Sequence, residues 1–219
     1  MEKIRIVCFG DSNTWGYNPR TRDRFPGDVR WTGRLQQLLG DGYQVLEEGQ
    51  NGRTIASEDP CEGEKNGIRT VIPCVESQMP FDLLILMLGS NDLKQKFGYA
   101  AIDVAGEMQQ MLEKIVTFGR YHMKKAPRIL LIAPPWFGEG IRSSWLGDCF
   151  GYERAIRISR ELAPWYRQLA EMYECDYLDA AEFARAGSTD SVHMEEDGHA
   201  ALAQALADYV KSRFAAEKE

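Results

Sequence analysis

The chain has 219 residues, 44% of them hydrophobic and 27% charged, which excludes a disordered chain and suits one α/β domain over residues 1–219 with a single sizeable core. Its formal net charge of −7, from 33 acidic against 26 basic residues, provides no general field for phosphate backbones or anionic lipid, which argues against nucleic acid or membrane as a partner. The basic cluster Lys124, Lys125 and Arg128 reads as a solvated helix end. Met1-Glu2-Lys3 runs into an apolar strand without the regions of a secretory signal, and no apolar run nears the roughly 18–20 residues that cross a bilayer. Cys8, Cys61, Cys74, Cys149 and Cys175 are odd in number and lack paired spacing, so the expectation is a cytoplasmic protein with reduced thiols.

In chain order, Ile4 to Phe9 is a short apolar run that ends at a glycine, the pattern of a buried strand entering a turn. Trp31 to Leu39 is a helical candidate, and Tyr43 to Glu47 a second strand followed by the polar loop Gly49 to Thr54. Gly67 to Met79 reads as a helix kinked or broken at Pro73, and Asp82 to Leu88 as a third strand followed by Gly89-Ser90-Asn91-Asp92. Ala101 to Phe118 is helical. Arg128 to Ala133 is a fourth strand stopped by Pro134-Pro135, Tyr152 to Tyr173 an amphipathic helix interrupted at Pro164, Asp176 to Leu178 a short fifth strand, and Glu195 to the C-terminus a final helix. This alternation predicts a single-domain, doubly wound, flavodoxin-like parallel sheet of about five strands with helices on both faces. Tyr17 to Arg30, Ser57 to Asn66 and Trp136 to Gly151 are expected to be long loops, suited to lids, pocket walls or assembly surfaces.

Three distant segments bear chemistry. Ser12 follows the first strand, where open parallel sheets place their ligand crevices. Asp190 and His193 stand three residues apart, a spacing that lets the carboxylate reach Nδ1 while Nε2 faces outward. Asn91 can direct an amide N–H at a developing oxyanion. Each alone has an ordinary reading: Ser12 as a turn residue, Asp190 as a helix cap, His193 as a surface histidine. Together they supply what a serine nucleophile requires, a base and a group that fixes the base's tautomer. The other histidines compete weakly, His122 as a solvent-facing helix residue and His199 as part of the last helix. Metal-ligand spacing such as His-x-x-x-His is absent from the sequence, so neither a metal nor another cofactor is expected.

Gly10-Asp11-Ser12-Asn13 with Gly52, Gly89-Ser90-Asn91-Asp92 and Asp190-Ser191-Val192-His193 resembles the GDSL, or SGNH, hydrolase family, in order and spacing across nearly the whole chain. The resemblance implies a nucleophilic Ser12, an Asp190/His193 pair, and oxyanion donors from the Ser12 N–H, the Gly52 N–H and the Asn91 side chain, with Gly49 as an alternative to Gly52. Asn13 replaces the family's Leu, and Asn51-Gly52 replaces a more usual Ser-Gly or Ser-Ala. Cys8 to Gly16, Asp28 to Gly33 and Met87 to Asp92 are similar to the bacterial arylesterase/acyltransferase subgroup, which implies short acyl esters as substrates, acyl transfer to alcohols and a homo-oligomer, dimer or larger. An acetylated sugar or a lysophospholipid fits the same triad. Asp11, Asn13, Trp15 and Trp136 are expected at the substrate, Trp15 as a wall limiting the acyl group to two to four carbons. Phe137, Trp145 and Phe150 are further aromatic candidates for the pocket or for packing. A flavodoxin-like small-molecule or phosphate-binding module is the non-enzymatic reading, without a Gly-x-x-x-x-Gly-Lys-Ser/Thr loop to support it.

Overall fold

Five strands, β1 (Ile4–Gly10), β2 (Tyr43–Gly49), β3 (Leu83–Met87), β4 (Arg128–Ala133) and β5 (Asp176–Asp179), form one parallel sheet in the order β2-β1-β3-β4-β5. The computed structural model describes residues 3–123 and 128–215. Lys124 and Lys125 of the expected helix-end cluster lie outside the described residues, while Arg128 opens β4.

Successive residues of each central strand point to opposite faces, and both faces are apolar. Val7, Phe9, Leu84, Leu86 and Leu131 meet α3 (Gly67–Gln78), α4 (Ala101–His122) and α6 (Glu153–Met172). Ile6, Cys8, Leu83, Ile85, Leu130 and Ile132 meet α2 (Trp31–Leu39) and α7 (Glu196–Ala215) on the other face. β4 and α2 have the expected bounds. β1 and β2 run on to Gly10 and Gly49, which pair with each other; ladder pairing, not side-chain type, decides where an extended segment stops.

The two prolines do not interrupt their helices. Pro73 and Pro164 lie on exposed faces of α3 and α6, where a lost backbone hydrogen bond is made good by water, while Val71, Val75, Leu162 and Tyr166 bury the opposite faces and keep the axis continuous. The expected loop Trp136 to Gly151 contains a 3-10 turn, Glu139–Ser143, and a short helix, α5 (Gly147–Phe150). Tyr17 to Arg30 and Ser57 to Asn66 contain no helix or strand, only isolated bridges at Tyr17 and Arg24 and at Asn66. Among the described residues no helix is long and apolar enough to cross a membrane.

β1 is flanked by β2 and β3, so the chain reverses its direction of travel across the sheet at this point. A crevice opens at such a switch, outside the carboxyl ends of the strands. Ser12 follows β1 there, and Asn91 follows β3.

Candidate active site

Ser12 opens α1 (Ser12–Trp15), a single turn capped by Asp11, whose side chain accepts the Asn13 N–H at 2.9 Å. The Ser12 Oγ lies 2.9 Å from His193 Nε2, and His193 Nδ1 lies 2.6 Å from Asp190 Oδ2. The other Asp190 oxygen accepts the Val192 and His193 N–H groups at 3.0 and 2.9 Å. Ser191 between them takes a left-handed φ of 65°, a tight turn that brings carboxylate and imidazole into register. Burial would raise the fully buried Asp190 carboxyl, but its hydrogen bonds from His193 and the turn's backbone outweigh that and hold it below its usual value. An ionised Asp190 bonded to Nδ1 directs the acceptor nitrogen, Nε2, at Ser12. Tyr17 packs on the imidazole with ring centroids 4.5 Å apart.

Ser12, Gly52, Asn91 and His193 line one cavity of about 270 Å³. The Ser12 and Gly52 N–H groups have no acceptor among the described residues. One N–H of the Asn91 amide donates to the Arg53 carbonyl at 3.1 Å, which fixes the amide plane and leaves its second N–H for a ligand. Gly52 has φ +78°, a left-handed conformation that strains a residue bearing a side chain. Gly49, the alternative donor, ends β2 with its Cα packed against the backbone of Trp15 and does not line the cavity.

Asp11 and Asn13, expected at the substrate, do not line the cavity and instead bond to the segments that carry Ser12 and His193. Asn13 Oδ1 accepts the Met194 N–H at 2.9 Å and its carbonyl accepts Trp31 Nε1 at 3.0 Å, tying the serine turn to the histidine segment and to α2. Burial pushes the Asp11 carboxyl up to about 6, against the pull of the Asn13 N–H and of His193 and Arg53 nearby. Trp15 and Trp136 are not among the residues lining the cavity. The Trp15 ring lies under the Arg24 guanidinium at 5.4 Å, and the exposed Trp136 under Arg160 at 5.7 Å. Tyr17, Trp145, Leu146, Phe150 and Val192 form the apolar wall instead. Phe137 is core, edge-on to Phe150.

Sequence reasoning missed the supports of the loops that carry Gly52 and Asn91. Arg53 lies buried over the Phe9 ring at 4.0 Å and donates to the Gly10 carbonyl at 2.7 Å and to the Glu48 carbonyl, joining the Gly52 loop to the end of β1. Asp92 Oδ1 accepts the Ile55 N–H at 2.9 Å, and Glu107 from α4 accepts the next N–H, of Ala56, at 3.3 Å. Burial, then the adjacent Glu107, holds the Asp92 carboxyl well above its ordinary value. At Gly89, φ +121° and a Cβ that would fall 2.5 Å from the Tyr166 hydroxyl explain the glycine: Tyr166 reaches past it to donate to the Leu88 carbonyl at 3.0 Å.

His122 is exposed at the end of α4, stacked on Phe118. His199 is fully buried, its Nδ1 accepting the Trp31 N–H at 3.3 Å, and burial followed by the charge of His193 pushes it down to about 3. It is therefore neutral and structural. The unfolded chain protonates this histidine below its ordinary value near 6.5, whereas the folded chain resists until about 3, so His199 makes stability fall as pH drops through that window. Between pH 7 and 4.5 its share is about 2–3 kcal/mol. The parent should lose that much more unfolding free energy over this interval than His199→Asn, as read by urea denaturation at the two pH values; parallel losses would refute the assignment.

The sequence pattern of the GDSL-like lipase/acylhydrolase family matches residues 8–201. The chain is similar to an aryl esterase from M. smegmatis, with 34% identity, a TM-score of 0.86 and coverage of 95% of this chain and 99% of that one. It is similar also to a carbohydrate acetylesterase from Sinorhizobium meliloti, with 31% identity, a TM-score of 0.88 and coverage of 97% and 100%. An acetylxylan esterase from Xylanibacter ruminicola is 24% identical over 225 residues, covering 96% of this chain, which spans 44% of that protein's length. The chain belongs to the GDSL-like lipase/acylhydrolase family, as a carboxylic ester hydrolase with the SGNH α/β fold.

Proposed function

We propose that the chain is a serine esterase that hydrolyses short acyl esters, acetyl above all, through a covalent acyl-enzyme on Ser12. The observation that carries this reading is the unbroken line from Ser12 Oγ through His193 to the buried Asp190, opening on a small cavity. Ser12 Oγ attacks the ester carbonyl as His193 Nε2 takes its proton, and Asp190 stabilises the imidazolium. The carbonyl oxygen, now an oxyanion, is held by the Ser12 N–H, the Gly52 N–H and the free N–H of Asn91. Collapse expels the alcohol, which takes the proton from His193. Water, deprotonated by His193, then attacks the acyl-enzyme and releases the acid with Ser12 restored.

An alcohol in place of water gives acyl transfer by the same route. The apolar wall of Tyr17, Trp145, Leu146, Phe150 and Val192 supports this branch, because it solvates an incoming alcohol's carbon atoms and offers water few partners. The cavity of about 270 Å³ lies just below the usual size of small-molecule pockets, roughly 300–1,000 Å³. That supports an acyl group of a few carbons when the alcohol must share the space.

A p-nitrophenyl ester series from acetate to octanoate tests the acyl preference. kcat/KM should be highest at acetate to butyrate and fall by about tenfold or more by octanoate, the effect of several methylenes denied burial. A profile that rises with chain length would overturn the short-acyl reading. Mass spectrometry of a quenched turnover should find an acetyl group on Ser12.

A further inference from the structure

Besides its aromatic side chains the cavity is lined by two charged residues, Glu62 and Lys94. Lys94 follows the turn that carries Asn91 and is itself buried, with 4% of its side chain exposed. It binds Asp59 Oδ2 at 2.8 Å and Glu62 Oε1 at 2.9 Å, and Asp59, wholly buried, also pairs with Lys96. Two cations and two carboxylates thus balance within the Ser57 to Asn66 loop and the segment after Asn91. Burial would lower the Lys94 ammonium, but its bonds to Asp59 and Glu62 outweigh that and keep it charged.

The acceptor that this network offers to a ligand is on Glu62. Glu62 lines the cavity with 40% of its side chain exposed, and its Oε2, pressed against Gly52, has no hydrogen-bond partner among the described residues. Two of the three Lys94 N–H groups go to Asp59 and Glu62, and the charges of the network cancel, so an anionic substrate finds no net positive charge there. A carboxylate oxygen is an acceptor only, and covering it with an apolar group strands it, whereas a hydroxyl satisfies it. Trp145, 59% exposed, stands at the mouth of the same cavity as a flat apolar surface. The Arg22 guanidinium already lies over that ring at 5.6 Å, which disfavours a second cation.

We propose that Glu62, held by Lys94, is a specificity-determining residue that selects a neutral polyol or sugar as the alcohol half of the ester, one free hydroxyl beside the ester donating to Oε2 and the carbon face packing on Trp145. This rests on the Ser12 acyl-enzyme reading and assigns its substrate class. It requires a free hydroxyl near the ester, so a partially acetylated sugar is a substrate and its fully etherified counterpart a poor one.

The test compares two esters that differ only in that donor: a monoacetylated methyl xyloside with its other hydroxyls free, and the same compound with them O-methylated. In the parent, kcat/KM should favour the free xyloside by about tenfold or more, the effect of leaving a charged acceptor unpaired. In Glu62→Ala the ratio should fall to within about twofold of unity, and because it is internal to each variant a general loss of folded protein cancels. A parent without preference, a ratio unchanged in Glu62→Ala, or faster turnover of acetylcholine than of the free xyloside would overturn the proposal. Ser12→Ala separates the two levels: turnover surviving in that variant removes the acyl-enzyme reading itself, while Ser12-dependent turnover without hydroxyl preference removes only the role of Glu62.

Discussion

Ser12→Ala should reduce kcat/KM for p-nitrophenyl acetate by roughly 10⁴ to 10⁶, to near the background of the remaining oxyanion donors. The change removes one oxygen whose only side-chain partner among the described residues is His193 Nε2 at 2.9 Å. His193 stays in place, because Asp190 holds Nδ1 and Tyr17 packs on the ring. Unfolding free energy should therefore move by no more than about 1 kcal/mol, the net worth of one partly exposed hydrogen bond. Rates on purified variant and parent, with a urea denaturation curve for each, read both quantities. An intact fold with a few per cent of parental activity or more would show that Ser12 is not the nucleophile.

Asn91→Ala should lower kcat by about 10² to 10³ and leave KM nearly unchanged, the mark of a donor that matters only when charge has formed on the carbonyl oxygen. Asn91 is buried at the head of its turn, and one amide N–H is committed to the Arg53 carbonyl at 3.1 Å. That bond presents the second N–H in a fixed direction, so little reorganisation is needed as the oxyanion develops. Removing the side chain also frees the Arg53 carbonyl, but Arg53 keeps its own bonds to Gly10 and Glu48, and Asp92 keeps Ile55, so the Gly52 loop remains anchored. Steady-state kinetics separates kcat from KM. A rise in KM at constant kcat would make Asn91 a ground-state binding residue and leave the oxyanion to the two backbone N–H groups.

Several features were legible because they are written into a few adjacent residues. The apolar runs of β1, β3 and β4 and the glycines or prolines that stop them mark buried parallel strands. The Asp190 to His193 spacing suffices for a carboxylate–imidazole pair, since both groups sit on one turn. Other features were not. Proline is a strong local breaker, yet Pro73 and Pro164 are carried through by the buried faces of their helices, a decision taken by tertiary packing. Trp15 stands three residues from Ser12 and faces Arg24, while Tyr17, two residues further on, meets His193. Proximity along the chain says nothing about the side to which a short helical turn directs a ring.

The sequence by itself determined the architecture, the alternation of strands with helices, and Ser12, Asn91, Asp190 and His193 as the candidate chemical groups, because strand pattern and turn chemistry are properties of short segments. Only the tertiary structure decided what surrounds them: Asn13 as a tie to the histidine segment, Arg53, Asp92 and Glu107 as anchors of the loops that carry Gly52 and Asn91, and Glu62 and Lys94 as a polar part of the cavity wall. Each of those roles depends on a partner more than 30 residues away, and such pairings exist only once the sheet has brought the loops after β1, β2 and β3 to one edge.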